Sequence, residues 1–127
     1  MSGPRILLIE SQDDARQALS ARLAAEGFDV TAVASVEDGL RATATRTFDV
    51  VLLDMVLPER GGLRAYQALR AQHATRSLPI ILLSPDIAEN RWEVLPYETE
   101  GATVLTGRPD DPTFLLARLT QLLTVAR

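Results

Sequence analysis

Short apolar runs, each stopping on a polar residue, punctuate this chain. Ile6-Leu7-Leu8-Ile9 stops on Glu10, and Phe48-Asp49-Val50-Val51-Leu52-Leu53 stops on Asp54. Leu78-Pro79-Ile80-Ile81-Leu82-Leu83 stops on Ser84, and Ala102-Thr103-Val104-Leu105 is followed by Thr106 and Gly107-Arg108-Pro109. Continuous runs of this length, bounded by turn residues, suit strands buried on both faces. A fifth segment differs: Phe28-Asp29-Val30-Thr31-Ala32-Val33 alternates at first. Alternation predicts a strand with one exposed face, at a sheet edge.

Between these runs the apolar spacing becomes helical. Ala15 to Glu26 places Ala15, Ala18, Leu19 and Leu23 at helical intervals, with Gly27 as the stop. Ser11-Gln12-Asp13-Asp14 before it is rich in helix-start residues, and the two aspartates favour the first turn through the helix dipole. Ser35 is an N-cap candidate with Asp38 three residues on, opening a helix that carries Val36, Leu40 and Ala44. A third helix from about Leu63 to Gln72 buries Leu63, Tyr66 and Leu69, which leaves His73 on the surface near its end. Pro85 to Glu100 is irregular and contains Pro96, so a short or broken helix is expected there, with Trp92 and Tyr97 packing over the sheet. Asp110-Asp111-Pro112 opens a last helix whose apolar face is Phe114, Leu115, Leu119, Leu122 and Leu123.

Strand followed by helix, five times over, means a parallel sheet with helices on both faces and right-handed crossovers. The expectation is a flavodoxin-like, doubly wound (βα)5 α/β fold with strand order 2-1-3-4-5. Residues 1–127 read as a single domain, without linker or low-complexity tract.

Composition narrows the functional classes. With 46% hydrophobic and 24% charged residues in 127, one domain can bury a real core. A net charge of -4 argues against a nucleic-acid surface, which needs clustered Lys and Arg. No cysteine is present, so disulfides, thiol catalysis and thiolate zinc sites are excluded, and a cytoplasmic location is expected. No apolar run approaches the ~18 residues of a membrane span. The single histidine argues against a histidine metal site or a Ser-His-Asp triad.

In an open parallel sheet, ligands gather beyond the carboxyl ends of the strands at the switch point. There the order 2-1-3-4-5 makes the first and third strands neighbours, so Glu10 and Asp54 should meet, with Ser84 and Arg108 on the other side of the cleft. Two carboxylates, a hydroxyl and a guanidinium can hold a hard cation through oxygens or bind a phosphoryl group beside a cation. No glycine-rich loop follows the first strand, since Ser11-Gln12-Asp13-Asp14 has no glycine. A flavodoxin-like small-molecule or nucleotide-binding protein is therefore the less favoured alternative.

Across essentially its whole length the chain resembles a response-regulator receiver domain of bacterial two-component, or phosphorelay, signalling. The likeness is carried by Ile6 to Glu10 with Arg16, by Phe48 to Leu57-Pro58 with Gly62, by Leu78 to Ser84, by Gly101-Ala102, and by Arg108-Pro109 before Asp110. The resemblance implies that Asp54 takes a phosphoryl group from a histidine kinase. It implies that an acidic pair after the first strand, Asp54 and the backbone carbonyl of Val56 hold Mg²⁺, while Ser84 and the residue at position 108 contact the phosphate. A kinase or another signalling protein is the expected partner, with a possible homodimer through the fourth and fifth helical segments, and no enzyme activity is expected.

Five departures qualify that picture. Ser11 is neutral where the second acid of the pair is the usual direct metal ligand. Arg108 replaces a lysine, Leu105 stands where an aromatic completes the switch, Gly61 replaces a common acidic residue, and the stretch before Gly101 is long and carries Pro96. The reading is an atypical receiver with weak Mg²⁺ binding at Glu10, Asp54 and Val56, acting through protein contacts. The alternative is a working phosphoacceptor at Asp54.

Overall fold

A computed structural model describes residues 3–54, 57, 61–84, 103–106 and 113–125; for Ser84, 103–106, Phe114, Thr124 and Val125 it is the backbone that is described. The strands are β1 (Arg5–Ile9), β2 (Asp29–Val33), β3 (Val50–Asp54), β4 (Ile80–Ser84) and β5 (Thr103–Thr106). The helices are α1 (Asp13–Ala25), α2 (Val36–Thr45), α3 (Gly61–Ala71) and α4 (Thr113–Val125), with a 3-10 turn at His73–Thr75. All pairings are parallel and the order is β2-β1-β3-β4-β5. The expected doubly wound sheet is what forms.

Alternation along the central strands divides the core in two. Leu7, Ile9, Val51, Leu53, Ile80 and Leu82 face α2 and α3, where they meet Val36, Ala65, Tyr66 and Leu69. Ile6, Leu8, Val50, Leu52 and Ile81 face the other way, onto Leu19 and Leu23 of α1 and Leu115, Leu119 and Leu123 of α4. Both faces of β1 and β3 are therefore covered, which is why those segments read as unbroken apolar runs. β2 lies at the edge, as expected, but is half-buried at four of its five positions rather than exposed along one face.

The helix ends follow local chemistry. Gly27 adopts φ 97°, the left-handed conformation that lets the chain leave α1. Ser35 Oγ accepts the Asp38 N–H at 3.1 Å, capping α2. The reverse arm of a capping box is not made, because the Asp38 carboxylate turns to Arg41 Nη1 at 3.1 Å. After α3, Arg70 Nη1 donates to the carbonyls of Arg76 and Leu78 at 3.0 and 2.7 Å, and its guanidinium lies 5.3 Å from the Tyr66 ring centroid. That holds the approach to β4. His73 is exposed in the 3-10 turn.

Four details differ from the sequence expectation. α1 begins at Asp13 rather than Ala15, because the two aspartates join the first turn. α3 begins at Gly61 rather than Leu63, and its buried stripe is Gly62, Ala65, Tyr66 and Leu69, with Leu63 half-buried. A Cβ on Gly61 would lie 2.8 Å from Leu57 Cβ and 3.1 Å from Val36 Cγ2, so only glycine lets this turn approach the β3–α3 loop and α2. Ala18 and Ala44 are exposed, because the buried stripes of α1 and α2 are narrower than the spacing allowed. Trp92, Pro96, Tyr97 and the rest of the 85–102 stretch lie outside the described residues, as do 107–112.

Candidate phosphoacceptor pocket

The register of the three central strands brings the polar strand ends together. Ile9 pairs with Leu53, so Glu10 and Asp54 come next at the same level. The Glu10 N–H continues the ladder, donating to the Val33 carbonyl at 3.0 Å. Parity places both residues in line with Ile6, Leu8, Val50 and Leu52, on the α1 side of the sheet. Asp54 in turn pairs with Leu83, which puts the Ser84 backbone one residue further along β4, opposite Thr106 of β5.

Glu10 and Asp54 are each 8% exposed, among the few buried polar side chains of the described residues. Their carboxyl groups interact, and a hydrogen bond between them forms when Glu10 carries its proton. The titration of Glu10 reflects this setting: its pKa is pushed from 4.5 to about 7, first by burial, then by the charge of Asp54 and the bond to it. Two groups oppose the shift. The Gln12 N–H donates to Glu10 Oε1 at 3.0 Å, and the Arg16 guanidinium lies nearby. Like charges in a shared, water-poor site do not both ionise easily without a cation.

The loop between β1 and α1 is tied from both sides. Arg16 Nη1 donates to the Glu10 carbonyl at 3.1 Å, and its Nη2 pairs with Asp13 Oδ1 at 2.6 Å. Asp13 is thereby held outward, 77% exposed, and does not join the pocket. Ser11 is half-buried in the same loop. Among the described residues no three His, Cys, Asp or Glu side chains gather to hold a metal ion. Two buried carboxylates alone still suit Mg²⁺, which binds through one or two of them and keeps several waters. Val56 and Arg108, expected as carbonyl ligand and phosphate contact, lie outside the described residues, as does the side chain of Ser84.

The expectations for Glu10 and Asp54 thus coincide in one place, at the switch point. What the sequence reading gave no role to is the Gln12 N–H and the fork of Arg16. Arg16 occupies a place in the buried stripe of α1, three residues before Leu19, where a polar residue reads as noise. Arg16 entered the sequence reading only as part of the family likeness, and its i, i+3 spacing from Asp13 is indistinguishable from an ordinary surface pair.

The family model of the response regulator receiver domain matches residues 6–102. The transcriptional activator protein PfeR of Pseudomonas aeruginosa is 40% identical over 81 residues, which are 64% of this chain and 26% of PfeR. The transcriptional regulatory protein GltR of the same organism is 29% identical over 126 residues, 99% of this chain and 51% of GltR. The chain thus spans a quarter to a half of the length of these relatives. Among solved structures, a sensor protein from Polaromonas sp. JS666 has a TM-score of 0.85 at 27% identity, covering 98% of each chain. The receiver domain of sensor histidine kinase PA1611 from Pseudomonas aeruginosa PAO1, with a magnesium ion coordinated in its active-site cleft, has a TM-score of 0.78 at 28% identity, covering 94% of this chain and 96% of that one. With matching motifs, strand order and switch-point carboxylates, the chain belongs to the response regulator receiver domain family of two-component signalling.

Proposed function

We propose that this receiver domain signals chiefly through protein–protein contact, with Asp54 in the phosphoacceptor position and a Mg²⁺ site weakened by Ser11. The observation that carries the reading is the buried Glu10–Asp54 pair at the adjacent ends of β1 and β3, where burial first, then Asp54, pushes the Glu10 pKa up to about 7. A cation entering there below that pH must displace the Glu10 proton. Ser11 supplies a neutral hydroxyl where a second carboxylate would otherwise attract the ion. Glu10, Asp54 and the Val56 carbonyl are the proposed ligands. When bound, Mg²⁺ would neutralise the charge that a phosphoryl group brings to a carboxylate. Ser84 and Arg108 are the proposed phosphate contacts, and Arg108 could fork onto phosphate oxygens where a lysine would present a point charge.

The proposed unit is residues 1–127, acting as one receiver in the cytoplasm, with a histidine kinase or another signalling protein as partner. Self-association through the helical segments around β5 is a further proposal. PfeR and GltR are described as transcriptional regulators, and both extend well beyond the stretch matched here. Direct nucleic-acid binding is not proposed for this stretch, given its net charge of -4. No helix among the described residues is long and apolar enough to cross a membrane.

A second reading, a working phosphoacceptor, is favoured by the magnesium ion reported in the cleft of the PA1611 receiver. One experiment separates the two. Mg²⁺ and beryllofluoride, or acetyl phosphate, are added to the protein and to Asp54→Ala, and the adduct is followed by NMR and mass. Little or no adduct at millimolar Mg²⁺ is expected. A stoichiometric adduct that disappears in Asp54→Ala would overturn the first reading in favour of the second.

A further inference from the structure

We propose that Arg16 is the positioning residue for the Glu10 carboxylate, acting through the shape of its guanidinium fork rather than its charge alone. The inference rests on the reading of Glu10 as part of the acidic pocket. Arg16 joins two acceptors that lie in different directions: the Glu10 carbonyl at 3.1 Å and Asp13 Oδ1 at 2.6 Å. The Gln12 N–H, between those two anchors in sequence, donates to Glu10 Oε1 at 3.0 Å. The chain from Glu10 to Asp13 is therefore closed at both ends by one side chain, and its middle amide orients the carboxylate that meets Asp54.

The bland alternative is an ordinary helix-start ion pair. Two observations tell against it. Asp13 and Arg16 stand at the usual i, i+3 spacing, yet Arg16 also reaches back six residues to a main-chain carbonyl, which such a pair does not need. Its side chain is only 18% exposed, whereas the arginines of the Arg22–Glu26, Arg41–Asp38 and Arg64–Glu37 pairs are 52%, 75% and 46% exposed. Solvated pairs contribute little, and a partly buried fork on a backbone carbonyl is a different object. A lysine at this position would keep the charge but could not serve both acceptors with fixed geometry.

That difference gives the test. The chain is prepared free of divalent ions as wild type, Arg16→Gln and Arg16→Lys. Amide hydrogen exchange of Gln12 and the χ1 couplings of Glu10 are measured by NMR. In both variants the Gln12 amide should exchange about tenfold faster, as expected for one lost hydrogen bond, and Glu10 should average between rotamers. The amides of Leu19 and Leu23 should be unchanged. Wild-type behaviour in Arg16→Lys would mean that charge alone matters, and the inference falls. It falls equally if Arg16→Gln leaves both readouts in place, or if Leu19 and Leu23 exchange faster as well, which would make Arg16 a general helix stabiliser. Neither readout involves Mg²⁺ or phosphate, so this inference and the proposed function can fail separately.

Discussion

Replacing Glu10 by Gln should change how stability depends on pH. The Glu10 pKa is pushed to about 7 in the fold from an ordinary 4.5, by burial first and then by Asp54, against the opposing Gln12 N–H. Below pH 4.5 the carboxyl is protonated in both folded and unfolded chains, and the favourable setting of the neutral form is fully felt. As pH rises, the unfolded chain loses this proton first, so stability falls until the folded group also ionises at about 7. Above that the deficit is constant. A gap of this size corresponds to about 3 kcal/mol, a sizeable share of the roughly 5–15 kcal/mol that holds a domain folded. Gln keeps an oxygen for the Gln12 N–H and gains N–H donors for Asp54, so the pocket need not collapse. Urea unfolding at several pH values, without divalent ions, gives the comparison. Carboxylates that do not touch Glu10 cancel in the difference between variant and wild type, which leaves the Glu10–Asp54 pair as its source. That difference should move by about 3 kcal/mol in favour of Glu10→Gln between about pH 4.5 and about pH 8. A difference that stays flat across the window would refute the reasoning.

Other consequences are simpler to read. Asp54→Asn should lower the Glu10 pKa from about 7 without returning it to 4.5, because burial is the larger cause; carboxyl 13C shifts against pH would show it. Gly61→Ala should destabilise by about 1–3 kcal/mol in urea, despite alanine's better helix propensity, since its Cβ would meet Leu57 Cβ at 2.8 Å. Ser35→Ala removes the acceptor for the Asp38 N–H and should cost about 1 kcal/mol. Leu119→Ala, at a fully buried position between α4 and the sheet, should cost about 2–5 kcal/mol, with a midpoint shift at unchanged urea slope.

The sheet was legible because burial on two faces leaves a mark that burial on one does not. Val50 to Leu53 are all buried, and a short unbroken apolar run of this length, flanked by turn signals, suits a central strand. The edge position of β2 was legible for the converse reason. Helix starts were less so, since Gly61-Gly62 and Asp13-Asp14 carry turn chemistry as readily as helix chemistry. At Gly61 the deciding contact is with Leu57 and Val36, which local sequence cannot reveal. The same holds in the pocket. That Glu10 and Asp54 meet follows from strand order. That the Glu10 pKa is pushed up depends on burial, and that Arg16 turns back to the Glu10 carbonyl depends on where α1 lies against β1. Both are tertiary facts with no periodic signature.

The departure at Ser11 acquires a physical meaning from this pair. A pocket with three ionised carboxylates repels itself and needs a cation to close. With Ser11 neutral, only two remain, and one proton suffices to join them. On the proposed reading the metal-free pocket is therefore already satisfied: Glu10 has Asp54 and the Gln12 N–H, and the loop is tied by Arg16. Mg²⁺ competes with a proton rather than filling an unmet demand, so its affinity should rise with pH up to about 7 and level off above. Calorimetric titration in buffers of different ionisation enthalpy would count the proton released. Binding that releases none below that pH would mean that the ion sits elsewhere, and that Ser11 has not changed the pocket in the way argued.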